Sequence, residues 1–211
     1  MAIIEKYIPP KERKKLGNLI FMVRYGKYIL RSKPVDRSPG MIASSFQLTK
    51  LGKLIKQVLN SINTAYAGTV FGNGMNAFNC VISINKKHCF IGNTDTIDPS
   101  LLVLCENEGS FVGDVTLIST VLNTITGTFD SNAQNDEEGS DVVKAYGFDV
   151  RNNKIWQFDP EAIRSTGTIT VTHPDMSGLN IAVYLECLDR VNLLNGRVKH
   201  VIKYVGTVKV V

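Results

Sequence analysis

The chain has 211 residues, 44% of them hydrophobic and 20% charged, with a net charge of +5. That size allows one large or two small domains with a real hydrophobic core, which argues against wholesale disorder. No segment approaches the 18 consecutive apolar residues of a transmembrane helix, and the first ten residues lack the apolar stretch and cleavage site of a secretory signal. We therefore expect no membrane span and no signal-dependent secretion. The protein is expected to be cytoplasmic at synthesis, with release in a particle such as a virion as a further route.

Charge is distributed unevenly along the chain. Residues 1–56 contain 13 Lys and Arg against 3 acids, whereas residues 57–211 contain 11 against 16. A basic leader of this kind is typical of a segment that binds phosphate groups or an acidic protein surface, although a solvated basic face gives the same pattern. The candidate partner-binding residues are the basic and tyrosine side chains of the leader: Lys11, Arg13, Lys14, Lys15, Arg24, Tyr25, Lys27, Tyr28, Arg31, Lys33 and Arg37. Charge would contact phosphate and tyrosine rings would stack on bases, but a protein-contact arm has the same composition.

The leader is predicted to be an arm followed by a hairpin. Pro9 and Pro10 prevent helix formation, and the basic residues after them repel one another, which predicts an extended arm over residues 1–18. Residues 19–23 and 28–31 are apolar runs separated by a turn at Gly26, which predicts a short β-hairpin. A hairpin of this size is only marginally stable alone, so it must pack on this protein's own body or on a neighbouring subunit.

A helical segment is predicted between residues 38 and 99. Ser38 and Pro39 suit the start of a helix. Apolar residues then follow at steps of three and four, at Leu48, Leu51, Leu54, Ile55, Val58, Leu59 and Ile62. Lys50, Lys53 and Lys56 lie on the opposite side, as a solvated face or as a nucleic-acid contact. Residues 75–91 fit either a strand or a helix, and we favour the helix.

From residue 100 onward the pattern is that of a β-protein. Eight short runs rich in Val, Ile, Thr and Tyr cover residues 101–106, 114–119, 123–130, 142–150, 154–158, 167–172, 179–188 and 198–205. Turn clusters separate them about every tenth residue, which indicates an antiparallel sandwich of the immunoglobulin or fibronectin type with Trp156 in its core. The predicted fold is therefore α+β and mainly β: a basic arm and hairpin over 1–37, helices over 38–99 and a sandwich over 100–211.

Sequence motifs of catalysis are missing. The chain has no G-x-S-x-G, H-E-x-x-H, Walker loop or G-x-G-x-x-G pattern. The four cysteines are far apart and the three histidines do not complete a zinc set, so buried, reduced thiols are expected instead. The oxygen-rich residues 130–141 miss the spacing of a calcium loop, which favours a solvated loop. We expect no enzyme activity, no catalytic residue, no metal, no cofactor and no small-molecule substrate.

Two leader segments resemble motifs of a protein family. Residues 14–20 (KKLGNLI) and 25–34 (YGKYILRSKP) are similar to the G-K-V-G-N-V-V-G and Y-x-R-S-R-P patterns of a domain-of-unknown-function family common in Bacteroidota-type genomes. The likeness continues at Ile97-Asp98 and in the β-rich part, at residues 168–172, 177–184 and 204–206. Ser38-Pro39-Gly40-Met41 replaces the family's T-P-A-Q helix start, and its W-K-G position is altered. The resemblance implies the same order of elements, including a helix near residues 75–91, and it implies no activity.

These patterns predict a non-enzymatic structural or assembly protein, such as a virion component. Its basic arm would dock onto other subunits of a homo- or hetero-oligomer. The alternative is a nucleic-acid-binding protein that uses the leader and the lysine face of the helix.

Overall fold

A computed structural model describes residues 2–4, 19–24, 27–32, 39–66, 75–92, 94–105, 111–159, 161–188 and 200–211. The fold is α+β and mainly β, as the sequence predicts. The chain divides between Ile42 and Ala43 into two compact units. None of the described helices is long and apolar enough to span a membrane.

The N-terminal unit contains a three-stranded antiparallel sheet with the order β1–β3–β2. Its strands are β1 (Ala2–Ile4), β2 (Leu19–Arg24) and β3 (Lys27–Ser32). The residues of the predicted hairpin correspond to β2 and β3, which pair with each other from Leu19 opposite Ser32 to Arg24 opposite Lys27. The predicted arm needs a correction, because residues 2–4 pair with β3, where Ala2 lies opposite Leu30. Their β-branched sequence suits a strand, and β3 offers them a second edge. The rest of the predicted arm lies outside the described residues.

Three helices follow: α1 (Pro39–Gln57), whose first four residues belong to the N-terminal unit, and α2 (Leu59–Ala65) and α3 (Ala77–Asn85) in the body. Helix α1 begins at Pro39, as predicted; Ser38 lies outside the described residues. Most of the predicted apolar stripe is buried, across the break between α1 and α2, but Leu48 is 41% exposed. Helix α3 confirms the helical interpretation over Ala77–Asn85, whereas Phe90, later in the predicted segment, forms an isolated β-bridge with Ile97. The side chain of Asn76 caps α3 by accepting a hydrogen bond from the Asn79 amide at 2.9 Å.

The remaining strands form two antiparallel sheets. They are β4 (Val115–Ile118), β5 (Thr124–Phe129), β6 (Val142–Asp149), β7 (Lys154–Gln157), β8 (Ala162–Ile163), β9 (Thr168–Thr172), β10 (Asn180–Leu188) and β11 (His200–Lys209). The larger sheet has the order β11–β10–β6–β7, with β8 also paired to β6, and the smaller sheet has the order β4–β5–β9. A short helix, α4 (Asp136–Gly139), precedes β6. Seven of the eight predicted runs are strands, and the two-residue β8 was not predicted.

The larger sheet is covered on both faces. Tyr146 and Tyr184 belong to the core that this sheet forms with helices α1 to α3. Ala145 and Val183, from the same two strands, belong to the core between the two sheets, together with Trp156. Successive side chains of β6 and β10 therefore enter opposite cores, as the pleat of a strand requires. The layers run from helices to the larger sheet to the smaller sheet, and the predicted core position of Trp156 is confirmed.

The prediction of a strand at residues 101–106 is wrong. Leu102 and Leu104 are buried in the helical core, but their backbone is held by a side chain instead of a strand. The Asn85 side chain donates to the Val103 carbonyl at 2.6 Å and accepts from the Val103 amide at 2.8 Å. Its amide thus supplies both hydrogen bonds that a neighbouring strand would supply. A sequence pattern shows that this segment is apolar, but not that its partner lies 18 residues upstream.

Candidate functional site

Four of the eleven predicted partner-binding residues lie in the N-terminal sheet. Arg24 ends β2 opposite Lys27, which begins β3. Tyr28 and Arg31 lie further along β3, opposite Val23 and Ile20. The other seven lie outside the described residues: Lys11, Arg13, Lys14, Lys15, Tyr25, Lys33 and Arg37. The register therefore places two basic residues at directly facing positions, an arrangement that costs stability when no anion compensates it.

The body contains a fully buried arginine that the sequence analysis missed. Arg164 lies in a 3-10 turn directly after β8, and its side chain is 0% exposed. Its Nη2 donates to the carbonyls of Phe111 and Asn132, each at 2.9 Å, and its Nε donates to the Ser131 carbonyl. Its Nη1 lies 3.4 Å from an oxygen of Asp141, which is itself buried. A planar guanidinium has donors in enough directions to hold all these groups at once.

Arg164 contacts both ends of the loop that joins β5 to β6. It binds carbonyls at the start of residues 130–141 and the carboxylate of Asp141 at the end, and Glu138 lies 3.8 Å from its Nη1. The predicted solvated loop is thus braced by a buried charge. The signal that could have revealed this was in the sequence: residues 130–141 contain five acids and no basic residue. A buried carboxylate such as Asp141 requires a cation from elsewhere in the fold.

A cleft with a volume of about 660 Å³ lies beside this loop. Five of its nine lining residues have uncharged amide or hydroxyl side chains: Ser131, Gln134, Asn135, Ser140 and Ser165. The other four are Ala133, Asp136, Gly139 and Ile163. Among the described residues, no histidine, lysine or cysteine lines the cleft to activate a serine hydroxyl as a nucleophile. No three His, Cys, Asp or Glu residues of the described segments come together in a way that could hold a metal. The chemistry of this cleft suits binding by hydrogen bonds.

A second buried polar pair lies beneath the helices. The Tyr146 hydroxyl donates a hydrogen bond to a carboxylate oxygen of Glu186, and both side chains are buried. Burial raises the pKa of Tyr146 far above its usual value, and the charge of Glu186 raises it further. The tyrosine therefore stays protonated and serves as a permanent donor to the carboxylate. Such a pair stabilises a buried charge, which is a structural role.

All four cysteines of the chain lie in the body. Cys89, Cys105 and Cys187 are buried free thiols, as predicted, whereas Cys80 is half-buried. Burial raises the pKa of Cys89 and of Cys187 to about 11, so both thiols stay protonated at neutral pH and are poor nucleophiles.

The predicted lysine face of α1 is partly exposed, at Lys53 and Lys56. Lys50 lies 3.6 Å from Asp95, so part of its charge is compensated within the body.

The chain was compared with protein-family models, with curated proteins and with solved structures, and none of them matched. Membership of the family that the leader motifs resemble therefore stays a prediction.

Proposed function

We propose that this chain is a non-enzymatic assembly protein whose N-terminal unit docks onto a neighbouring copy, as subunits of a virion or a similar particle do. The observation that carries the proposal is the division of the chain between Ile42 and Ala43. The described residues of the first unit form three strands, of three, six and six residues, and the first turn of α1. It also contains ten Lys and Arg against three acids, whereas the body has two more acids than basic residues.

Both the size and the charge of this unit favour a partner. Chains of about 40 residues rarely fold alone without disulfides, metals or association. Residues 1–42 contain no cysteine, so a disulfide is not available to them. Arg24 and Lys27 face each other across the hairpin, and an acidic surface on a neighbour would relieve that repulsion. Docking would therefore supply packing and charge compensation together.

We infer that the body is an immunoglobulin-like sandwich. In the nomenclature of that fold, β4, β5 and β9 would be strands A, B and E, while β6, β10 and β11 would be C, F and G. Strand β7 would be an additional strand beside C. The loop braced by Arg164 then corresponds to the B–C loop, at an end of the sandwich that immunoglobulin domains use for recognition. This correspondence supports a role in binding a partner for that end of the body.

Removal of residues 1–37 tests the docking proposal, because it leaves α1 intact from Pro39. We expect the full chain, at 23.3 kDa per copy, to form an oligomer and the truncated chain to contain fewer copies. Size-exclusion chromatography with light scattering measures both. The control is the full chain with Lys53→Glu and Lys56→Glu, which changes charge outside the N-terminal unit and should keep the oligomer. An unchanged copy number after truncation, or a monomeric full chain, would contradict the proposal.

Nucleic-acid binding is the second candidate function. It is favoured by the exposed Lys53 and Lys56 on α1, which add to the charge of the basic leader. We expect affinity for single-stranded or duplex DNA to fall about 10³-fold or more between 50 and 200 mM salt if six or more phosphates are contacted. A fluorescence titration at both salt concentrations measures this fall. Lack of binding at the lower concentration would exclude this function.

A further inference from the structure

The two sheets of the body have five edge strands: β7, β8 and β11 in the larger sheet, and β4 and β9 in the smaller. An edge strand presents backbone N–H and C=O groups without a partner, and it can therefore pair with a strand of another molecule. Natural proteins usually protect such edges by short length, charge, proline, bulges or covering groups.

Four of these edges carry such protection. Along β7, the Gln57 side chain donates to the Asn153 carbonyl and accepts from the Ile155 amide, each at 3.0 Å. Strands β4 and β8 have only four and two residues. Strand β11 carries Lys203 and Lys209, and a break in its register at Gly206 interrupts its pairing with β10.

In the described part of the chain, the protection of β9 is limited to the Thr166 hydroxyl, which donates to the Thr168 carbonyl at 3.2 Å. Its sequence, Thr168-Ile-Thr-Val-Thr172, contains no charge and no proline, and its register with β5 is continuous. The amide of Phe129 donates to the Gly167 carbonyl, and the amide of His173 donates to the Asn123 carbonyl. Because bonded pairs alternate in an antiparallel ladder, Ile169 and Val171 bond to β5, and the three threonines direct their backbone groups outward. In the described part of the chain, the Thr170 and Thr172 backbones have no hydrogen-bond partner.

We propose that β9 pairs in antiparallel fashion with β9 of a second copy, about a two-fold axis at Thr170. The strand is complementary to itself: Thr170 faces Thr170, and Thr168 faces Thr172 of the other copy. All three pairs present outward groups, so up to about six N–H to O=C bonds form, two of them to Thr168 carbonyls that each also accept from a Thr166 hydroxyl. No charge on the strand opposes this arrangement. The two smaller sheets join into one sheet of six strands, with the order β4–β5–β9 repeated across the axis.

The outer face of β9 also favours a second copy of this chain over an unrelated strand. Within one chain, the hydroxyls of Thr124 and Thr172 lie 3.1 Å apart, and those of Thr126 and Thr170 lie 3.4 Å apart. Pairing β9 with itself extends these rows of facing threonines across the axis, and such pairs stabilise sheets. A two-fold contact is also closed, so it yields a dimer instead of a fibre. The contact covers less than a standard interface, so the dimer should depend on concentration.

Thr170→Pro tests this pairing. Proline removes an N–H that the fold itself does not use, and edge strands tolerate it there. The host is the chain lacking residues 1–37, because β9 pairing does not require the N-terminal unit. Light scattering over a concentration series should show the truncated chain approaching twice its monomer mass, and the Thr170→Pro variant staying at the monomer mass.

Two further variants make the result decisive. Thr170→Lys places like charges at the two-fold axis and should also give a monomer. This variant still tests the pairing if the proline variant fails to fold. Thr116→Lys adds the same charge to β4, where Thr116 is exposed and lies two strands from the pairing edge, and should still dimerise. A monomeric truncated chain, or dimers that persist in both Thr170 variants, would overturn the inference. The inference adds to the proposed assembly function but is tested apart from it: an unchanged oligomer after truncation contradicts only N-terminal docking.

Discussion

Replacing Arg164 with methionine is expected to lower the free energy of unfolding by about 3–5 kcal/mol, which corresponds to a loss of about 6–20 °C in melting temperature. Methionine keeps much of the side-chain volume but donates no hydrogen bond. The carbonyls of Phe111, Ser131 and Asn132 would lose their donors, and Asp141 would keep a buried charge next to an apolar side chain. An uncompensated buried carboxylate is the largest part of this cost.

Urea denaturation followed by circular dichroism measures the Arg164 effect. Arg164→Lys should be intermediate, since lysine keeps the charge but cannot donate to three carbonyls in a plane. Arg151→Met is the matched control, because Arg151 is exposed in the turn between β6 and β7. Its effect should stay within about 0.5 kcal/mol. A loss of less than about 1 kcal/mol for Arg164→Met would show that the loop does not depend on this side chain.

Replacing Asn85 with alanine is expected to cost about 2–3 kcal/mol. The Asn85 side chain binds both the amide and the carbonyl of Val103 and also donates to the Val81 carbonyl at 2.8 Å. Without it, backbone groups beside the buried Leu102 and Leu104 would have no partner and no ready access to water. Asn85→Asp should be at least as destabilising, because it loses both donated bonds and places a carboxylate in the core.

Urea titrations of the Asn85 variants should include Asn63→Ala as a control. Asn63 is exposed in α2, and alanine has a higher helix propensity, so this change should be neutral or slightly stabilising. Equal midpoints for Asn85→Ala and the unchanged chain would mean that residues 102–105 are held by apolar packing alone.

Elements with a clear local pattern were predictable, even where their partners are distant, as for β5 and β9. The β-branched runs of β4 to β7 and β9 to β11 are separated by turn residues, and the period of α1 places its apolar side inward. The elements that were missed have no such local pattern. Strand β1 is defined by its pairing with β3, and residues 101–106 are kept from pairing by Asn85.

The same limit applies to the candidate site. The five acids of residues 130–141 are visible in the sequence, but their cation is Arg164, which also binds a carbonyl at Phe111. A lone arginine after an apolar pair gives no local sign that it will be buried. The basic leader could be recognised because charge is a local property of the sequence. The partner that the leader contacts stays a prediction. The open edge of β9 is likewise a property of the sheet order and cannot be read from Thr-Ile-Thr-Val-Thr alone.

The sheet shared by the two cores has a consequence for optical measurements of stability. The single tryptophan, Trp156, lies in the core between the sheets, with its ring 5.4 Å from that of His173. The helices pack on the other face of the same sheet, so loss of either core exposes one side of β6 and β10. Neither core can unfold without exposing strands that also form the other core. We therefore expect tryptophan fluorescence and helical ellipticity to report a single cooperative unfolding transition of the body.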